Sequence, residues 1–450
     1  MTAPIASKDN SQRELDRLAD ISRDVIRRCI DAGASQAEVG ASIDVGLNVS
    51  VRLGETETIE HTRDRAFGVT VYFGKRKGSA STADLAADSI AKTIEQACAI
   101  ARYTEEDPAS GLADADRMAS DFPDLDLWHP WDIDVERAIA LGLEMEDAGR
   151  AVAGITNSEG ATVQMGEALS VYANSHGFVG LERGTRHMLS VALLAENEGG
   201  MQRDYWYDSV RCADDFGSAA QIGRTAAERT LARLGAQSLS TRQCPVLFAP
   251  EIARGLIGHL LSAVSGGALY RKASFLLGEL GKPVLPSFID LVEDPLIRRG
   301  HGSAVFDAEG VATRRNPLVE KGVLQRYLLS SYSARKLGMA STGNAGGIHN
   351  LCVSTGDDDF AAMLRRLGTG LYVTEVMGQG VSTVTGDYSR GAAGFWVENG
   401  QIAFPVEEIT IASNLREMYR GIVAVGKDID PRSHIRVGSI LLDQMTVAGG

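Results

Sequence analysis

The stretch Ile43-Asp44-Val45-Gly46-Leu47-Asn48-Val49-Ser50-Val51-Arg52-Leu53 alternates apolar and polar residues through six apolar positions. A period of two puts every apolar side chain on one face of an extended chain, so the pattern predicts a half-buried strand. Phe67, Val69, Val71 and Phe73 repeat the alternation on its C-terminal side, and a helix is predicted over about 84–101. On its N-terminal side Leu15, Leu18, Ile21, Val25 and Ile26 recur at spacings of three and four. They predict a helix over about 11–32, stopped by Gly33. Strands adjacent in sequence with helices around them point to the α+β class, with antiparallel sheets and helices packed on one face.

Between Glu105 and Asp134 the composition changes: ten acidic residues accompany a single Arg117, with Pro108, Pro123 and Pro130 among them. This reads as a linker or surface excursion, anchored back onto the fold by Trp128 and Trp131. A helix over 135–152, strands over 155–211 and a helix over 218–234 follow. The second half opens on the apolar strand Pro245-Val246-Leu247-Phe248 and a helix over 251–264. Gly-punctuated strands come next, with hairpins at 318–324 and 395–402. In the latter, Asn399-Gly400 between apolar strands favours a type I′ turn. The expected division is an N-terminal domain over 1–240, with sub-segments 11–104 and 132–236 joined by the acidic stretch. A β-rich C-terminal domain occupies 241–450.

The 450 residues carry 45 Lys and Arg against 59 Asp and Glu, a net charge of −14. That excludes general nucleic-acid binding by phosphate neutralisation. Five scattered cysteines without a C-x-x-C pair suit a reducing, cytoplasmic setting rather than a disulfide framework. No apolar leader opens the chain and no run of about 18 apolar residues occurs, so neither a signal peptide nor a membrane span is expected.

On the helix over 251–264, Ile252, Leu256, Leu260 and Val264 form an i, i+4 ridge, and His259 projects on or beside it. It reads as a core or interface histidine, or as a metal ligand if other donors converge on it. One turn back stand Arg254 and Gly255, and neither ligates zinc. The remaining histidines form no H-E-x-x-H or H-x-x-H pattern, and there is no G-x-S-x-G elbow. The densest polar segment is Gly386-Asp387-Tyr388-Ser389-Arg390-Gly391-Ala392-Ala393-Gly394. It is either a tight loop entering the Phe395 hairpin or a groove wall gripping an extended peptide, with Asp387 and Arg390 able to pair.

Several strings resemble the PmbA/TldE branch of the TldD/PmbA family, whose older name is modulator of DNA gyrase. They are 307–313 (DAEGVAT), 338–344 (GMASTGN), 377–380 (MGQG) and, most specifically, 386–400 (GDYSRGAAGFWVENG). The resemblance runs from the first helix to Gly450. It implies a cytoplasmic two-subunit metallopeptidase acting on unfolded or flexible peptides. In that pairing the TldD-like partner carries H-E-x-x-x-H and a later Cys as zinc site. Set on this chain, the motif falls on Arg254, Gly255 and His259, and the Cys-bearing loop falls near 428–434, which reads DIDPRSH. The resemblance therefore implies a metal-free subunit with no catalytic or metal-ligating residue and no cofactor of its own. The zinc belongs to the TldD-like partner. The expected peptide groove comprises Asp387, Tyr388, Ser389, Arg390 and Asn399, gripping substrate by strand addition. A surface built for a homologous partner also allows a homodimer in isolation. Two other readings stay open: a metallopeptidase active on its own, and a non-enzymatic protein-binding modulator.

Overall fold

In the computed structural model, which describes residues 8–449, the alternating stretch is the centre of a six-stranded antiparallel sheet. The N-terminal unit runs α1 (Lys8–Asp31), β1 (Gln36–Arg52), β2 (Glu55–Phe73), β3 (Arg76–Thr82), α2 (Ala87–Tyr103), α3 (Val135–Arg150), β4 (Ile155–Asn174), β5 (Val179–Asn197), β6 (Gly200–Val210) and α4 (Ala219–Ala232). The strand order is β3-β2-β1-β4-β5-β6. Every second residue of β1 from Ala37 to Val51 is buried, and that face carries all four helices. Leu15, Leu18, Val25, Ile90 and Ile94 of α1 and α2 pack over its Ala37–Val45 end. Ala138, Met145, Ile222 and Ala226 of α3 and α4 cover Leu47 to Val51. Burying a side chain such as Ile43 completely contributes about 2–3 kcal/mol. The other face is lined by small and polar residues, among them Ser42, Gly46, Gln164, Gly166 and Ser170, and stays partly open. Because β3 pairs β2 only from Phe67 to Phe73, the Glu55–Ala66 part of β2 has β1 on one side and no strand on the other.

The acidic stretch is irregular, as its prolines dictate, but it is a strap rather than a free linker. Asp107 accepts from the Tyr332 hydroxyl at 2.7 Å and from Lys336 at 2.8 Å. Arg335 donates to the carbonyls of Ala109, Gly111 and Leu112, and Arg117 to that of Ser341. Arg299 pairs with Asp126 at 2.8 Å. Acidic residues without local cations thus find their counter-charges in the second half of the chain. Trp128 anchors the strap in the core under α1, and Trp131 packs edge-on against His187 with ring centres 5.3 Å apart.

The second half runs β7 (Arg242–Phe248), α5 (Pro250–Ala263), α6 (Gly266–Tyr270), β8 (Leu291–Glu293), β9 (Asn316–Glu320), β10 (Val323–Leu324), α7 (Ser331–Leu337), β11 (Leu351–Val353), α8 (Phe360–Leu367), β12 (Gly370–Met377), β13 (Asp387–Glu398), β14 (Gln401–Asn414), α9 (Leu415–Arg420), β15 (Ile422–Val425), β16 (Ile435–Arg436) and β17 (Ile440–Gly449). Its main sheet has the order β14-β13-β12-β7-β17-β15, and Ile409–Ala412 of β14 also pair with Thr446–Gly449 of β17. That pairing closes the sheet into a barrel around Val246, Phe248, Leu260, Val373, Trp396, Ile411 and Leu442. A smaller sheet has the order β10-β9-β8-β11-β16. The chain is thus α+β and largely antiparallel, with two parallel ladders, β7–β12 and β11–β16. Parallel neighbours need a long crossover, here residues 249–369 for the first pair, which no local alternation reveals. Among the described residues no helix is long and apolar enough to cross a membrane.

Candidate functional site

β7 is an apolar strand buried in the barrel wall, and Pro250 at the first helical turn starts α5 directly from its end. Ala253, Leu256, Ile257, Leu260 and Leu261 turn inward, which fixes the rotation of the helix. α5 is α-helical throughout, so Arg254 and His259, five residues apart, project about 140° from one another.

They accordingly reach different surroundings. The half-buried His259 ring stands edge-on to Tyr388, with ring centres 6.0 Å apart. Burial pushes its imidazole pKa down, and the nearby Arg390 adds to the effect. Arg254 points the other way. Its guanidinium donates to the Tyr207 hydroxyl of β6 at 3.1 Å and lies 3.8 Å from the Asp430 carboxylate. Gly255 faces open space, with no atom within 4 Å of where a Cβ would stand.

The loop 428–434 comes to the same place and is held in shape by its own polar groups. Asp428 accepts from the backbone N–H and hydroxyl of Ser439 at 2.9 and 3.0 Å. Asp430 pairs with Arg432 at 2.7 Å, and both side chains are nearly buried. Arg432 also donates to the Tyr207 carbonyl at 2.8 Å and lies over the rings of Trp206 and Tyr207, 4.1 and 4.4 Å from their centres. Burial lowers the pKa of His434, reinforced by Arg186 and Arg254. The α5 positions 254 and 255 and the 428–434 loop, singled out in the sequence, therefore lie beside one another. What they build is an ionic and aromatic cluster of Arg254, Asp430, Arg432, Trp206 and Tyr207, with Glu251 3.7 Å from Arg432.

These residues do not fit a zinc ion. Two permanent cations occupy the junction, Asp430 is already committed to one of them, and His259 lies around the helix from it. Among the described residues no group of three or more His, Cys, Asp and Glu side chains is arranged to hold a metal. Beside the cluster a cavity of about 490 Å³ separates β6 and α4 from α5 and the loop, lined by Trp206, Tyr207, Glu251, Phe360, Tyr372 and Arg432. Sequence reasoning reached Arg254 and the 428–434 loop but missed Trp206 and Tyr207. The aromatic run Tyr205-Trp206-Tyr207 flanked by Asp204 and Asp208 was the available signal.

The proposed groove residues do not form one site. Residues 387–390 begin strand β13 rather than a loop. They pair with β14 on one side, while on the other Ser389 N–H donates to Gly380 O and Ser382 N–H to Asp387 O. Barrel closure and this bracing leave the segment no free edge for strand addition. Tyr388 is buried in the barrel core. Asp387 and Arg390 do not pair, because residues three apart on a strand face opposite ways. Asp387 instead accepts from Thr385 at 2.6 Å, and Arg390 donates to the carbonyls of Met377 and Val376. Asn399 follows the far end of β13, nine to twelve residues on, which an extended strand spans in roughly 30–40 Å. There Asn399 and Gly400 have φ of 51° and 75°, as a type I′ turn requires.

Comparison with known proteins places this architecture. The chain matches models of the PmbA/TldA metallopeptidase domain 1 (residues 37–101), central domain (128–234) and C-terminal domain (241–449). It is 50% identical over 414 residues to metalloprotease PmbA of Escherichia coli O157:H7, covering 92% of each chain. It is 49% identical over 420 residues to a PmbA homologue of Haemophilus influenzae, covering 93% of each. A TldD homologue of the same Haemophilus is 24% identical over 303 residues, 58% of this chain and 61% of that one. The crystal structure of a "putative modulator of DNA gyrase" from Bacteroides thetaiotaomicron superposes with a TM-score of 0.91 at 26% identity, over 99% of this chain and 100% of that one. TldE of Thermococcus kodakarensis shares the fold, with a TM-score of 0.84 at 20% identity over 95% and 100%. With three consecutive domain matches and relatives at half identity along nearly its whole length, the chain belongs to the PmbA/TldD metalloprotease family.

Proposed function

We propose that this chain is the zinc-free subunit of a two-subunit metallopeptidase that degrades or processes flexible peptides in the cytoplasm. A TldD-like chain supplies the metal and the activating carboxylate. The observation that supports this reading is the Arg254–Asp430–Arg432 cluster at the junction of α5 and the 428–434 loop, where the family resemblance would set a partner's zinc donors. An arginine there repels a divalent cation and can neither activate water nor ligate zinc. The occurrence of PmbA and TldD homologues in one Haemophilus agrees with two chains of unlike role. This chain's part is to complete the chamber and hold substrate, and the aromatic cavity beside the cluster is the surface for that contact.

The test is zinc content and hydrolysis of an unstructured peptide by this chain alone, by its TldD-like partner, and by the mixture. Zinc and activity confined to preparations holding the partner support the reading. Stoichiometric zinc and turnover in the isolated chain overturn it.

A further inference from the structure

β5 carries Glu182 on the open face of the N-terminal sheet, opposite Ser170 of β4. Residues 304–308 and 345–349 of the second half close over this place and leave a cavity of about 320 Å³. It is lined by the small residues of the 345–347 loop, by the rings of Tyr172 and Phe306, and by Glu182 and His349. Asp307, also on its wall, is already spent, because its oxygens accept from the N–H groups of Glu309, Val311 and Ala345. A second cavity of about 220 Å³ shares Glu182 and Phe306 and runs on to Phe122 of the acidic strap, which is 50% exposed.

Glu182 and His349 both offer acceptors that the chain leaves unused. Glu182 receives only a long bond of 3.5 Å from the Ser170 hydroxyl, and no arginine or lysine of the described residues comes within ion-pair distance of it. Burial pushes its pKa up, and the Ser170 bond and the nearby His349 do not offset this. His349 gives its Nδ1 to the Glu293 carboxylate at 2.8 Å, and Arg326 and Asn344 hold that carboxylate in place. With its proton on Nδ1, a neutral imidazole presents Nε2 as an acceptor, and no described residue bonds to it. A carboxylate and an imidazole acceptor on one cavity complement a group that only donates, an ammonium or a guanidinium. The rings beside them suit the apolar stem that carries such a head in lysine and arginine. Two donors are too few for a metal, and among the described residues no larger set is arranged to hold one.

We propose that the cavity between Glu182 and His349 binds the cationic side chain of a lysine or arginine in a flexible peptide, with its stem against Tyr172 and Phe306. This deepens the reading of the chain as a peptide-holding subunit and rests on it, but the cavity shares no residue with the one beside the Arg254 cluster. An α-amine carries the same charge without the stem and leaves the rings uncovered.

The test is the binding of a fluorescent, N-acetylated, glycine- and serine-rich peptide with a single lysine to the isolated chain, followed by anisotropy. The same peptide with norleucine in place of lysine is measured beside it. The lysine peptide is expected to bind about tenfold tighter, as one charge-assisted hydrogen bond gives. Glu182→Gln should remove that preference, and so should Ala308→Leu, which fills the cavity from its exposed rim. Melting curves matching the wild type keep a lost site distinct from lost folding. Equal binding or no binding of the two peptides overturns the proposal, as does a preference that survives either change. Equally tight binding of the norleucine peptide with a free N terminus overturns it too, because the terminal amine would then be the cation held. Neither zinc nor turnover is read, so failure here and failure of the two-subunit reading are told apart.

Discussion

Arg254 of α5 donates to the hydroxyl of Tyr207 on β6 at 3.1 Å, so α5 is tied to the last strand of the N-terminal sheet. Here it faces a phenol, a carboxylate and a second arginine. The cluster joins two halves of the chain that lie more than 200 residues apart at Tyr207 and Arg432.

Arg432→Ala is expected to destabilise the protein strongly. It leaves Asp430, only 5% exposed, without its main counter-charge and removes the cation lying over Trp206 and Tyr207. Breaking a buried pair from one side costs about 3–5 kcal/mol. Urea unfolding followed by tryptophan fluorescence measures it, and a loss under about 1 kcal/mol would show that water replaces the arginine.

Arg254→His combined with Gly255→Glu restores two letters of the zinc motif. Gly255 has room for a side chain, so the variant should fold. It is nevertheless expected to bind no stoichiometric zinc and to hydrolyse no peptide, because the 428–434 loop offers no cysteine and the helix has no π-turn to bring positions 254 and 259 together. Turnover by the purified variant would refute this ligand count.

Acid should weaken the fold through His301. Burial, reinforced by Arg186 and Arg211, pushes its imidazole from the ordinary 6.5 down to about 4. Between those values the unfolded chain binds a proton that the folded chain refuses, so stability falls as pH drops through the window. The loss is about 3 kcal/mol when the window is crossed completely. Urea midpoints at pH 7 and pH 4.5 should differ less in His301→Gln than in the wild type. An equal difference in both proteins would assign the acid sensitivity elsewhere.

Gly400→Ala tests the β13–β14 turn. With φ at 75° and a new Cβ 2.8 Å from the Arg365 Cα, alanine is both strained and crowded. A loss of about 1–3 kcal/mol is expected. The melting temperature reports it, and an unchanged value would mean that α8 shifts freely.

The elements with a strict local period were legible in advance. The alternation through Ile43–Leu53 lies within β1, and the spacing of Leu15, Leu18 and Val25 lies within α1. Asn399-Gly400 specified its turn because few other residue pairs tolerate two positive φ values. Of the candidate site, Arg254 and the 428–434 loop were visible as departures from a motif. The groove residues were misjudged because Gly386–Gly394 looks like a loop when its neighbours are unknown. Its glycines instead permit close strand packing, with the Tyr372 carbonyl only 1.9 Å from where a Cβ on Gly394 would stand.

Sequence alone determined the class of fold and the family pattern, because each depends on residue identity or on a period of two to four residues. Only the tertiary structure decided that β14 meets β17 to close the barrel. It also decided that the acidic strap answers Arg299, Arg335 and Lys336, and that Trp206 and Tyr207 meet Arg254 and Arg432. Those relationships join segments far apart in the chain. Their energy comes from desolvation and charge pairing that exist only once the two halves are packed.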